Sequence, residues 1–128
     1  MINFALIEIN SIEGEQIFWK LAINNKCQFD EYALEIKKTG TYVKELGMIY
    51  KYMELIANLK SLPEKRFKDI TPEKEKVKEY EFKSKHLSVY AIKKENGKII
   101  ILGGYKNRQK NEIRKFKAIK KLYLEYLI

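Results

Sequence analysis

"HLSVYAIKKENGKIIILGGY", residues 86–105, decides how the chain is read. Two runs rich in branched and aromatic residues, His86–Lys94 and Ile99–Tyr105, flank Glu95-Asn96-Gly97-Lys98. An Asn-Gly pair between two such runs is the strongest short hairpin signal, because both residues tolerate the positive φ of a tight turn. Upstream, "KVKEYEFKSK" (76–85) alternates, with Tyr80 and Phe82 on one side and Glu79, Glu81, Lys83 and Lys85 on the other. The three runs predict an antiparallel meander with the apolar side inward and the charged side in solvent.

The rest of the chain is arranged around this meander. "FALIEI" (4–9) and "QIFWKLAI" (16–23) predict a second hairpin. Asp30 stands where an N-cap belongs before "EYALEIKK", and Gly40 stands where a C-cap belongs, which brackets a short helix. From Tyr42 to Leu62 apolar residues recur every three or four positions until Pro63, predicting one long amphipathic helix. Residues 60–79 mix charges around Pro63 and Pro72 and read as a solvated loop. "NEIRKFKAIKKLYLEYLI" (111–128) carries an apolar stripe and a basic back of Arg114, Lys115, Lys117, Lys120 and Lys121, so the chain ends in a helix. The expectation is a single α+β domain over 1–128. Its curved antiparallel sheet is backed by helices on one side and presents a basic concavity on the other.

The charge distribution points to an anionic partner. The net charge is +9, yet residues 1–40 hold four Lys/Arg against six Asp/Glu, while 41–128 hold 22 against 11. A basic surface of this kind attracts nucleic acid by steering and by release of condensed counterions. Cys27 is the only cysteine and His86 the only histidine, which leaves neither a disulfide framework nor a zinc-type ligand set and suggests a reducing, cytoplasmic compartment. "MINFALIEIN" lacks the features of a signal peptide, and no long apolar run predicts a membrane span. No small-molecule cofactor is expected.

Three segments resemble the RelE/ParE toxin superfamily, within it the HigB-like or phage Gp49-like branch. "YEFKSKHLSVYAI" (80–92) resembles that branch's aromatic residue, Glu-Leu-Arg, short turn and Arg-Val-Tyr-Phe. "KIIILGGYKNRQKNEI" (98–113) resembles its last strand, which leads through Gly-Phe-x-Lys-Lys to the final helix, and "CQFDEYALEIKKTG" (27–40) resembles its shorter helix. The resemblance implies a RelE-like fold and a toxin that cleaves mRNA in the ribosome and is restrained by a cognate antitoxin; a minority branch acts on DNA gyrase. It puts Lys83 at the arginine of Glu-Leu-Arg, and Tyr105, Lys106 and Arg108 on the cationic segment. Here Leu87 and Ser88 precede Val89-Tyr90, so the arginine that opens that strand in the family is missing.

Metal-independent RNA cleavage needs a proton acceptor for the 2′-hydroxyl, a cation for the developing phosphorane charge and a proton donor for the leaving oxygen. His86, with an ordinary pKa near ~6.5, suits proton transfer, or is simply an exposed turn residue. Tyr105 serves as an acid or a stacking face, or fills the core rim. Lys83 and Lys85 share a strand face, and Arg108 offers a two-pronged phosphate clamp, unless these cations form only a solvated basic face. Lys65, Arg66, Lys106 and Lys110 are further RNA-binding candidates. Gly103-Gly104 either let RNA approach the backbone or mark a bulge or strand end. Two other functions stay open: a non-catalytic member of this fold that binds nucleic acid or gyrase, and a basic module for an acidic partner.

Overall fold

The computed structural model describes residues 1–128. In chain order it comprises β1 (Phe4–Glu8), β2 (Ile17–Ile23), β3 (Lys26–Cys27), α1 (Gln28–Thr39), α2 (Val43–Ala57), β4 (Phe67–Asp69), β5 (Glu79–Lys83), β6 (Leu87–Lys94), β7 (Gly97–Tyr105), a 3-10 turn (Lys106–Arg108) and α3 (Gln109–Tyr126). This is an α+β domain. One seven-stranded sheet runs β1-β2-β7-β6-β5-β4, with β3 added beside β2.

The sheet is mixed, which corrects the antiparallel expectation. β2 runs parallel to β7, with Ile17 opposite Gly97 and Lys20 opposite Ile100. The glycine of the Asn-Gly pair serves that contact. The positive φ of the turn falls on Asn96, at 66°, whereas a Cβ on Gly97 would lie 1.7 Å from the Ile17 carbonyl oxygen. The Asn-Gly pair does mark the turn between β6 and β7, but the need for glycine itself comes from a strand far away in sequence.

α1 begins at Gln28, with no side-chain cap. Asp30 therefore lies inside the first turn, where a carboxylate suits the helix dipole, and it pairs with Lys20 at 2.7 Å. Gly40 closes the helix in the left-handed region, φ 76°, donating its N–H to Ile36 O. α2 is shorter than its periodicity suggested. It stops before Asn58, whose Nδ2 donates to the carbonyls of Glu54 and Glu13 at 2.9 Å, and Leu59 then turns the chain at φ 62°.

Helices cover both faces of the sheet, not one. α1 and α2 bury Phe29, Ile36, Ile49 and Met53 against Phe18, Phe82, Val89 and Ile100. On the other face α3 packs Phe116, Ile119 and Tyr123 on Leu21, Tyr90, Ile92, Ile99 and Leu102. The uninterrupted Ile-Ile-Ile-Leu of β7 is the signature of a strand buried on both sides. A register shift between Tyr90 and Ala91 turns Ile101 and Leu102 to the same side. Each large side chain in such a core is worth about 3–5 kcal/mol on truncation to alanine.

Two expectations fail together at β5. Glu79 and Glu81, expected in solvent, are 1% and 3% exposed, because α3 lies against them, its lysines on Glu79 and its Gln109 on Glu81. Lys120, itself 2% exposed, donates to Glu79 Oε2 at 2.7 Å, to the Val77 carbonyl at 2.8 Å and to Glu75 at 3.2 Å. Lys117 holds the other Glu79 oxygen at 2.7 Å. Part of the expected loop 60–79 is β4, whose Phe67 packs on Tyr80 and Phe82 with centroids 5.2 and 4.7 Å apart.

Candidate active site

The cleft lies where β6 starts and β7 ends, because Leu87 pairs with Tyr105 across the hairpin. The turn between β5 and β6 is fastened by one carboxylate from α2. Glu45 Oε1 accepts from Ser84 Oγ at 2.6 Å and from the His86 backbone N–H at 2.8 Å. Its Oε2 meets His86 Nδ1 at 2.7 Å. Lys106 N–H donates to the His86 carbonyl at 3.0 Å, so the turn is also tied to the chain leaving β7. Burial by itself would raise the Glu45 pKa; the hydrogen bonds from Ser84 and His86 outweigh it and hold the carboxyl below its usual range. An ionised carboxylate only accepts, so Nδ1 is the donor in this contact and Nε2 is left without a protein partner.

His86 opens on a cleft of about 390 Å³ that Tyr42, Tyr105, Lys106, Asn107 and Arg108 also line, a volume within the range of small-ligand sites. Glu35, Thr39 and Thr41 form the wall supplied by the α1 end of the helical hairpin. The Tyr42 ring stacks on the imidazole, with centroids 4.9 Å apart and planes at 28°. Tyr105 lies 6.0 Å from Tyr42 and edge-on to Tyr32 at 5.7 Å. Burial, then the charge of Glu35, pushes the Tyr105 hydroxyl above its ordinary pKa, so it holds its proton. The cleft thus joins a fixed imidazole, a protonated phenol, two cations and stackable rings.

The paired glycines beneath it answer to packing. A Cβ on Gly103 would fall 2.2 Å from the Tyr32 ring, and one on Gly104 would fall 2.5 Å from Glu112 Cγ. Tyr32 also donates its hydroxyl to the Gly104 carbonyl at 2.9 Å. These glycines let α1 and α3 close on β7; they are neither a strand end nor the site of the bulge.

Of the residues singled out from sequence, His86, Tyr105, Lys106 and Arg108 come together in the cleft. Lys83 and Lys85 do not line it. β5 ends at Lys83, so the alternation that was to give both lysines one face stops before Lys85, which sits exposed on the turn. Lys65 and Arg66 lie ahead of β4, and the Arg66 guanidinium is 5.9 Å over the Tyr52 ring. Lys110 belongs to the first turn of α3 and points no charge into the cleft lining. Ser88, where the resemblance leads one to look for arginine, is buried and donates to Glu81 Oε2 at 2.6 Å, a carboxylate that Gln109 Nε2 also reaches at 2.8 Å.

Sequence reasoning missed Glu45, Tyr42 and Glu35. Tyr42 and Glu45 open the long helix and look like ordinary members of it. A carboxylate 41 residues from its histidine gives no local signal.

No protein-family model, curated protein or solved structure matches this chain. No three His, Cys, Asp or Glu side chains are grouped to hold a metal ion, and no helix is long and apolar enough to cross a membrane.

Proposed function

We propose that this protein is a bacterial toxin of the RelE/HigB kind, a ribosome-dependent mRNA endoribonuclease restrained by a cognate antitoxin. The observation that carries the reading is the Glu45–His86 pair: the carboxylate fixes one imidazole nitrogen, and the residue lines a cleft with Tyr105, Lys106 and Arg108. A RelE-like fold belongs to the same proposal, with which the α+β architecture and C-terminal helix are compatible.

In this reading His86 Nε2 takes the proton of a ribose 2′-hydroxyl. The freed oxygen attacks the adjacent phosphorus and the P–O5′ bond breaks, giving a 2′,3′-cyclic phosphate and a 5′-hydroxyl. RNA supplies the nucleophile, so the protein contributes positioning and electrostatics. Arg108 and Lys106 steady the charge on the phosphorane oxygens, the planar guanidinium engaging two of them. Tyr105, kept protonated by its surroundings, supplies the proton for the departing 5′-oxygen.

The test compares the parent with His86→Ala and Arg108→Ala, each verified as folded, for growth arrest on induction and for ribosome-dependent mRNA cleavage. Each substitution is expected to slow cleavage by about 10²–10³-fold, the scale of losing one donor to the transition-state charge. A parent that cleaves nothing on ribosomes, or variants as toxic as the parent, would turn the reading toward a gyrase-directed or non-catalytic docking protein.

A further inference from the structure

Glu35 is out of keeping with the cleft it lines. It is the one acidic residue among lining groups that include His86, Lys106 and Arg108, and no cation forms an ion pair with it. The Tyr105 hydroxyl hydrogen-bonds to it, but a carboxylate with no ion-pair partner still repels the phosphates of any polyanion drawn to the nearby cations. The cleft therefore has two unlike walls: Lys106 and Arg108 come from the turn after β7, while Glu35 comes from α1. A nucleotide lowers its energy by turning its phosphate to the first wall and its base to the second, with the Tyr105 ring between as a stacking face.

Resting on the ribonuclease reading above, we propose that Glu35 selects the base held in this cleft, favouring one with an exocyclic amino group over uracil. An ionised carboxylate only accepts hydrogen bonds. Cytosine N4, adenine N6 and guanine N2 all donate, and a carboxylate accepting from cytosine N4 is a recurrent base contact. Uracil offers a carbonyl oxygen where cytosine has its amine, and that oxygen meets the carboxylate with repulsion. Cytosine and uracil have the same size and ring system, so their difference isolates this contact from stacking and shape.

The probe is a set of 2′-fluoro heptauridylates, which lack the attacking hydroxyl, each with a single cytidine at a different position. Binding is read by fluorescence anisotropy for the parent, Glu35→Gln and Arg108→Ala. Glu35 is exposed on α1, so its replacement leaves the core intact. In the parent, cytidine at one position is expected to tighten binding about tenfold. In Glu35→Gln that preference collapses, because the amide presents a donor as well as an acceptor. Arg108→Ala weakens all the oligonucleotides alike while the preference survives. Salt-sensitive binding of every oligonucleotide without a cytidine effect, or a preference that persists in Glu35→Gln, overturns the base-selection role and leaves the ribonuclease reading standing. An equal loss for cytidine and uridine on Glu35→Gln overturns it too, since that marks a positioning or proton-transfer role. Failure of the parent to bind any of the set overturns base selection by this cleft, while the ribosome-dependent cleavage assay decides the ribonuclease reading separately.

Discussion

Two carboxylates organise this molecule from different places, Glu45 at the open end of the central hairpin and Glu79 beneath α3. Glu45 anchors a distant element through three polar contacts and Glu79 through two, and each reaches across about 40 residues of chain. Their surroundings differ. Glu79 is 1% exposed and meets the equally buried Lys120, with Lys117 on its second oxygen, so its charge is cancelled inside the protein. Glu45 is 19% exposed and is met by a hydroxyl, an amide and an imidazole that is itself 45% exposed. The first network closes on itself and holds structure. The second leaves one histidine nitrogen without a partner at the edge of a cleft, the arrangement the proposed ribonuclease reading uses.

The comparison would break most visibly at Glu79. Glu79→Ala leaves the Lys120 ammonium buried with only a carbonyl and the half-exposed Glu75, and stranding such a charge costs about 3–5 kcal/mol. Urea unfolding should show a loss of that size; a loss under about 1 kcal/mol would mean that water reaches Lys120 and that the network is not closed.

Glu45→Gln probes the other side. Losing charge-assisted hydrogen bonds at a partly exposed carboxylate should lower stability by only about 1–2 kcal/mol, while the His86 ring resonances in an NMR spectrum shift and broaden as the imidazole is released. A stability loss matching that of Glu79→Ala would erase the distinction between a closed, buried network and an open one at the cleft edge.

The smallest effect concerns pH. Glu45 has a folded pKa below its unfolded value, so its stabilisation is fully present above the ordinary carboxylate range and is lost as pH falls through the lowered folded pKa. The stability gap between the parent and Glu45→Gln should therefore be flat at neutral pH and close toward acid. A gap that widens on acidification would show that the ionised carboxylate is not what holds the turn.

Lys98 sharpens the lesson about where charge is tolerated. It is 7% exposed and, like Lys120, buried, yet it faces the rings of Tyr80, Phe67 and Phe18 at 4.9, 5.7 and 5.9 Å with no carboxylate. Burial, and then Lys93, push its pKa below the usual lysine range, and only the aromatic faces offset that cost.

The sequence by itself determined the elements whose signals are local. The Asn96-Gly97 hairpin, the Gly40 cap and the apolar stripes of α1, α2 and α3 follow from turn chemistry and helical spacing, which act over a few residues. It also determined four members of the cleft, His86, Tyr105, Lys106 and Arg108, because they lie near the two ends of one hairpin and share its geometry. Tertiary structure alone decided the rest. An alternating strand predicts two faces but not what covers them, so only the docking of α3 with Lys117 and Lys120 made Glu79 a buried ion in place of a solvated one. Strand polarity leaves no mark on local pattern, so the parallel β2–β7 pairing, and with it the need for glycine at 97, came from elements brought together by folding. Glu45 became the partner of His86 for the same reason: α2 packs beside the β5–β6 turn, and hydrogen-bond partners are chosen by proximity in space, which a linear spacing does not encode.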